Sequence, residues 1–153
     1  MSPKNSEIQL YLEDLSLGKE FVSGEHQLDE EQIISFATQF DPQPFHQDAR
    51  AAQESFFKGH VASGWHTAAI TMKLIVESMP FAAGVIGLGC EISWPRPTMP
   101  GDTLHVRSRV TEIRPSTSKP DRAVVHVLSI TYNQAGNILQ ELKSKMFVFK
   151  RAY

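Results

Sequence analysis

The chain has 153 residues, 41% hydrophobic and 21% charged, a mixture that predicts one globular domain over residues 1–153 rather than a disordered chain. Its formal net charge of −2 excludes a broadly basic nucleic-acid binder. A single cysteine, Cys90, excludes an internal disulfide framework and any zinc site of several thiolates, and points to a reducing compartment.

The polar start, Met1-Ser2-Pro3-Lys4-Asn5-Ser6-Glu7, lacks the apolar core of a signal peptide. The most apolar stretches are 62–79 and 80–88. His66, Lys73 and Glu77 interrupt the first and Pro80 divides the two, short of the ~20 apolar residues a membrane span requires. The expectation is a cytoplasmic protein with no membrane or nucleic-acid partner.

Residues 1–20 read as irregular, with Leu15-Ser16-Leu17-Gly18 as a turn, and 21–28 as a short strand. Asp29 is placed as a helix N-cap, with Gln32 three residues on as in a capping box. Ile33, Ile34, Phe36, Ala37 and Phe40 give that helix its apolar face, and Asp41-Pro42 ends it. Two prolines predict that residues 41–48 hold no regular structure. A short helix is expected over 49–57 and a loop between Gly59 and Gly64. Residues 65–78 read as a helix apolar on most sides, hence central and wrapped by other elements.

After Pro80 the chain turns to β-formers. Runs at 85–93, 103–113, 122–133 and 138–150 are rich in Val, Ile, Thr and Phe, and Leu104, Val106, Ser108 and Val110 alternate. Pro100-Gly101-Asp102 and Gln134-Ala135-Gly136-Asn137 supply turns, and short connections make neighbouring strands antiparallel. The predicted class is α+β, an antiparallel sheet curled around one apolar helix.

Familiar catalytic motifs fail. There is no phosphate loop and no H-E-x-x-H zinc helix. Gly84, Gly87 and Gly89 stand in the wrong order for a dinucleotide fingerprint. Val61 and Trp65 occupy the positions where a nucleophile elbow at Ser63 needs glycine. His46, His60 and His66 fit no metal-ligand spacing. Cys90, within an apolar strand, is expected to be a buried, inert thiol.

Two features remain. Asp41 and His46 flank a bend stiffened by Pro42 and Pro44, and a carboxylate beside an imidazole can polarise one water from two sides. From spacing alone a second reading stays open, in which Asp41 only closes the turn and His46 packs in the core. Ala62-Ser63-Gly64 stands immediately before the apolar helix. Backbone N–H groups there are unsatisfied, and glycine admits a substrate oxygen closely enough to hold an oxyanion, or else Ser63 is simply the helix cap.

Phe40-Asp41-Pro42-Gln43-Pro44-Phe45-His46-Gln47-Asp48 resembles the D-x-N-P-x-H-x-D signature of the MaoC-like, R-specific enoyl-CoA hydratases. Ala62-Ser63-Gly64 resembles the A-H-G or A-S-G that opens that family's central helix. Trp94-Pro95-Arg96-Pro97-Thr98-Met99-Pro100-Gly101-Asp102-Thr103-Leu104 is similar to its P-V-x-x-G-D-T-L turn, and Leu12-Glu13-Asp14-Leu15-Ser16-Leu17-Gly18 to its opening. The likeness covers nearly the whole chain.

The resemblance implies a hotdog fold and a homodimer or a dimer-based higher oligomer. It implies Asp41 and His46 as catalytic residues, the Gly64 amide as oxyanion donor with Ser63 and Gln43 beside it, and an acyl-CoA thioester as substrate. Coenzyme A belongs to that substrate, and no metal or redox cofactor is expected. An acyl chain needs an apolar tunnel, for which Trp65, Met72, Phe81 and Trp94 are candidates, each equally suited to the core. Arg96, Arg107 and Lys145 are candidates for coenzyme phosphates, or else solvated residues of strand edges. Gln43 departs from the family's asparagine; a longer amide that still bonds the loop backbone would shift the pocket. Two rivals keep the same fold: an acyl-CoA thioesterase and a non-catalytic acyl-CoA-binding domain.

Overall fold

A computed structural model describes residues 8–152, so the polar start read at residues 1–7 lies outside the described residues, as does Tyr153. After a 3₁₀ turn at Leu12–Asp14 come β1 (Glu20–Gln27), α1 (Glu30–Phe40), α2 (Pro44–Gln47), α3 (Ala49–Gln53) and α4 (Gly64–Ser78). Four strands follow: β2 (Ile86–Ser93), β3 (Thr103–Pro115), β4 (Arg122–Tyr132) and β5 (Ile138–Phe149). The strands form one antiparallel sheet in the order β1-β3-β4-β5-β2, with α4 packed on β1, β3 and β5.

Alternation in β4 puts Ala123, Val125, Val127, Ser129 and Thr131 on the buried face, and β3 does the same with Leu104, Val106, Ser108 and Val110. Ile70, Leu74 and Ile75 of α4, with Met79 just past its end, pack in the same core, each burial worth about 1.5–3 kcal/mol. The polar residues of the buried face are paired, Thr131 with Thr71 of α4 at 2.6 Å and Ser108 with Ser129 at 2.8 Å. These bonds remove the penalty of burying hydroxyls.

Local signals account for the helix ends. Asp29 caps α1 by accepting from the Gln32 N–H at 2.8 Å. The expected capping box does not close, because the Gln32 side chain is engaged by His26 (2.8 Å) and the Gln27 carbonyl (3.2 Å). The two-proline segment, expected to be irregular, contains α2. Pro44 stands at its start, where a missing N–H and a fixed φ suit a helix. The helix expected over 49–57 stops at Gln53.

Cys90, expected to be buried, is exposed. Its strand β2 is the last in the sheet, so one side of it has no neighbour, and an apolar run alone does not distinguish an edge from a centre. The central helix is also less covered than expected: Trp65, Met72 and Val76 form an exposed apolar stripe. No helix among the described residues is long and apolar enough to cross a membrane.

Candidate active site

The segment between α1 and α4 is tied down from two directions. The turn after Met99 is closed by Asp102, which accepts from the Met99 N–H at 2.8 Å, and by Gly101, whose φ of +90° suits only glycine. Thr98, just before it, accepts from the Ala62 N–H on its carbonyl, and its hydroxyl shares a hydrogen bond with that of Thr67, both at 2.8 Å. The motif at residues 94–104 thereby fixes the start of α4. Proline-braced α2 carries the other half of the site.

Asp41 and His46 meet: Nε2 of His46 lies 3.2 Å from Oδ2 of Asp41, with side chains 6% and 16% exposed respectively. Nδ1 of His46 donates to the Val61 carbonyl at 2.8 Å, because a carbonyl can only accept. Nε2 is therefore the nitrogen turned to the carboxylate. His46 is buried and hydrogen-bonded, and it also lines a cavity.

Desolvation pushes the Asp41 carboxyl up, but the Ser63 hydroxyl and the Gln43 amide beside it, with His46, outweigh that effect and hold it below the usual carboxylate range. Gln43 donates to Oδ1 at 2.6 Å. The longer amide therefore bonds the carboxylate rather than the loop backbone. Asp41 is an ionised acceptor with one oxygen occupied by Gln43 and the other turned to His46.

These groups open on a cavity of about 510 Å³ lined by Asp41, Gln43, His46, Gly64, Trp65 and Trp94, with Phe45, Phe56, Phe57 and Arg96 around it. At the head of α4, Ser63 caps the helix by accepting from the Trp65 N–H at 3.2 Å. The Gly64 N–H has no hydrogen-bond partner among the described residues. Trp94 is anchored by its indole N–H to Gln140, fully buried, at 2.9 Å.

Two residues expected in the pocket are not brought there. Met72 lies two turns further along α4 on the exposed stripe, and Phe81 lines a separate hollow with Leu10 and Tyr11. An apolar residue on α4 fits a pocket, the core or an exposed stripe equally well until the sheet decides which side of the helix it covers. Of the candidate phosphate partners, Arg96 lines the cavity, whereas Lys145 lies in a groove of about 640 Å³ along the sheet. That groove holds a second imidazole, His126, 3.4 Å from Glu112. Both partners are substantially solvent-exposed and Arg114 claims the carboxylate at 2.7 Å, so this pair lacks the desolvation that strengthens Asp41–His46.

Sequence reasoning missed the aromatic rim of Phe45, Phe56 and Phe57, the Gln140 anchor, and the contact of His60 with the His46 carbonyl. None carries a local motif; each reaches the site through tertiary packing. Two buried ring nitrogens, His60 Nδ1 and His66 Nδ1, have no partner among the described residues.

An antiparallel five-stranded sheet with a central helix matches the hotdog fold of the MaoC-like and R-hydratase structures. Residues 15–133 match the family described as the MaoC like domain. The chain belongs to the MaoC-like dehydratase family, whose members are generally hydro-lyases. It is similar to a MaoC-like dehydratase from Rhodospirillum rubrum, with 52% identity, a TM-score of 0.93, and 94% of this chain and 99% of that one covered. It is similar to the R-hydratase PhaJ1 from Pseudomonas aeruginosa, with 25% identity, a TM-score of 0.76, and 94% and 88% covered. An uncharacterised protein of Bacillus subtilis (strain 168), YdeM, is 31% identical over 126 residues, covering 80% of this chain and 87% of the relative.

Proposed function

We propose that the protein hydrates the 2,3 double bond of a trans-2-enoyl-CoA thioester, reversibly, to a 3-hydroxyacyl-CoA. The observation that carries this reading is the Asp41–His46 contact at the floor of a cavity also lined by Gly64 at the head of α4.

A water in the cavity resting against both Oδ2 of Asp41 and Nε2 of His46, which lie 3.2 Å apart, is polarised by the two groups together. Asp41, ionised, accepts its proton as the oxygen attacks C3. The electron pair of the double bond moves to the thioester oxygen, which the unpartnered Gly64 N–H and the positive end of α4 stabilise by about 3 kcal/mol. The Asp41–His46 pair then returns one proton to C2. The balance is one water added and no net proton gained. Among the described residues no group of three His, Cys, Asp or Glu side chains converges as a metal site, and each step above uses protein groups alone.

We also infer a homodimer. The β2 edge exposes Ile86 and Leu88, and α4 exposes Trp65, Met72 and Val76, surfaces that a second copy would cover.

The test is loss of enoyl absorbance from crotonyl-CoA with the wild-type chain, Asp41→Asn and His46→Ala. Turnover by the wild type and a ~10²–10⁴-fold lower rate in both variants, with unchanged folding, is the expected result. Wild-type rates in both variants exclude the mechanism. Release of free thiol from a saturated acyl-CoA identifies a thioesterase instead, and binding without turnover an acyl-CoA-binding domain.

A further inference from the structure

The helix that carries His46 is four residues long, and the His46 carbonyl lies in its last turn, where no backbone N–H among the described residues reaches it. A helix that short has no stable geometry of its own. The donor that reaches the carbonyl is Nε2 of His60, at 2.6 Å. His60 belongs to the segment before α4, is 8% exposed, and does not line the cavity. Its neighbour Val61 works in the opposite sense, its carbonyl accepting from His46 Nδ1 at 2.8 Å and its N–H donating to the Phe45 carbonyl at 3.4 Å. Ring and backbone of His46 are thus held by two consecutive residues.

The bond also assigns the His60 tautomer. A carbonyl only accepts, so Nε2 carries the hydrogen. Nδ1 is left buried with no partner. An apolar ring of the same size would avoid that loss, so packing does not explain a histidine here. What histidine supplies and phenylalanine does not is the donor to His46.

We propose that His60 is a positioning residue: its Nε2–H clamps the His46 carbonyl and thereby sets the backbone from which the His46 imidazole reaches Asp41. The kinetic consequence rests on the hydratase reading; the placement of the His46 ring does not.

The experiment compares full-length wild type, His60→Phe, which keeps the bulk and removes the donor, and His60→Gln, which restores one. With crotonyl-CoA, His60→Phe lowers kcat about 10- to 100-fold, the scale of a small misplacement of a reacting group. KM stays within about twofold, since His60 does not line the cavity, and His60→Gln recovers most of the loss. In parallel, the imidazole nitrogen resonances of His46, read by NMR without substrate, move in His60→Phe and return toward wild type in His60→Gln. Where His60→Phe does not fold, His60→Asn, whose shorter amide falls short of the carbonyl, replaces it. A wild type inactive on enoyl thioesters, with His46 resonances that respond to the substitution, removes the hydratase reading and leaves the clamp. An unchanged kcat in an active enzyme, or His46 resonances that do not move, overturns the clamp.

Discussion

Trp94 packs on Gly64 so closely that a Cβ at residue 64 would stand 2.7 Å from Cε2 of the indole and 2.9 Å from two more ring atoms. The packing of Trp94 therefore requires glycine at residue 64. Alanine gains up to ~1 kcal/mol of helix propensity over glycine, whereas overpacking costs about 1–3 kcal/mol, and the indole is tethered to Gln140. Overpacking wins. Gly64→Ala is expected to lower the melting temperature by several degrees and to slow crotonyl-CoA hydration. The same substitution in a Trp94→Ala background is expected to leave the melting temperature of that background unchanged or raised. A thermal melt of the four proteins checks the coupling.

Gln43 is one of the groups holding the Asp41 carboxyl below its usual range. Gln43→Ala removes that donor, so the carboxyl moves up. A base that must be ionised then loses activity at higher pH on the acid side. The pH dependence of kcat/KM is expected to show its acid limb shifted upward in Gln43→Ala. A limb that stays in place or moves down separates Gln43 from control of Asp41.

Burial, with the nearby charge of His26, holds the His66 imidazole down from 6.5 to about 4. Its folded value lies below the unfolded one, so between these values the unfolded chain binds the extra proton. Stability is full above about pH 6.5 and declines as pH falls toward 4, by up to about 3 kcal/mol. The ring stacks on Phe36 at 4.5 Å, a place phenylalanine can take. His66→Phe is expected to flatten the decline, read by urea unfolding across this window; an equal decline in the variant assigns it to the carboxylates instead.

Leu88 is 46% exposed on the unpaired side of the sheet. If two copies meet there, a charge at this position is desolvated in the dimer only. Wild-type protein is expected to sediment at twice the 17.1 kDa chain mass, and Leu88→Arg at the single-chain mass with its fold intact. A wild type already at the single-chain mass removes the homodimer from the reading.

Much of this was legible in the residues. Alternation in β3 and β4, the Asp29 cap, and the turns at Gly101 and Gly136 are short-range signals, because side-chain period and backbone φ depend on neighbours within a few residues. Asp41 and His46 were legible for the same reason: five positions apart across a proline-braced bend, they had little freedom to separate. Cys90, Met72 and Phe81 were misjudged because exposure depends on which strand ends the sheet and which side of α4 it covers.

By itself, then, the order of residues determined the elements, the α+β class and the carboxylate–imidazole pair, since each follows from interactions between near neighbours. Only the folded chain decided that Gln43 bonds Asp41 rather than the loop, that Trp94 covers Gly64, and that His60 meets the His46 carbonyl. The last two join groups 30 and 14 residues apart, and the first depends on which of several reachable acceptors the packed loop presents. Such choices are made by long-range packing, which no local pattern encodes.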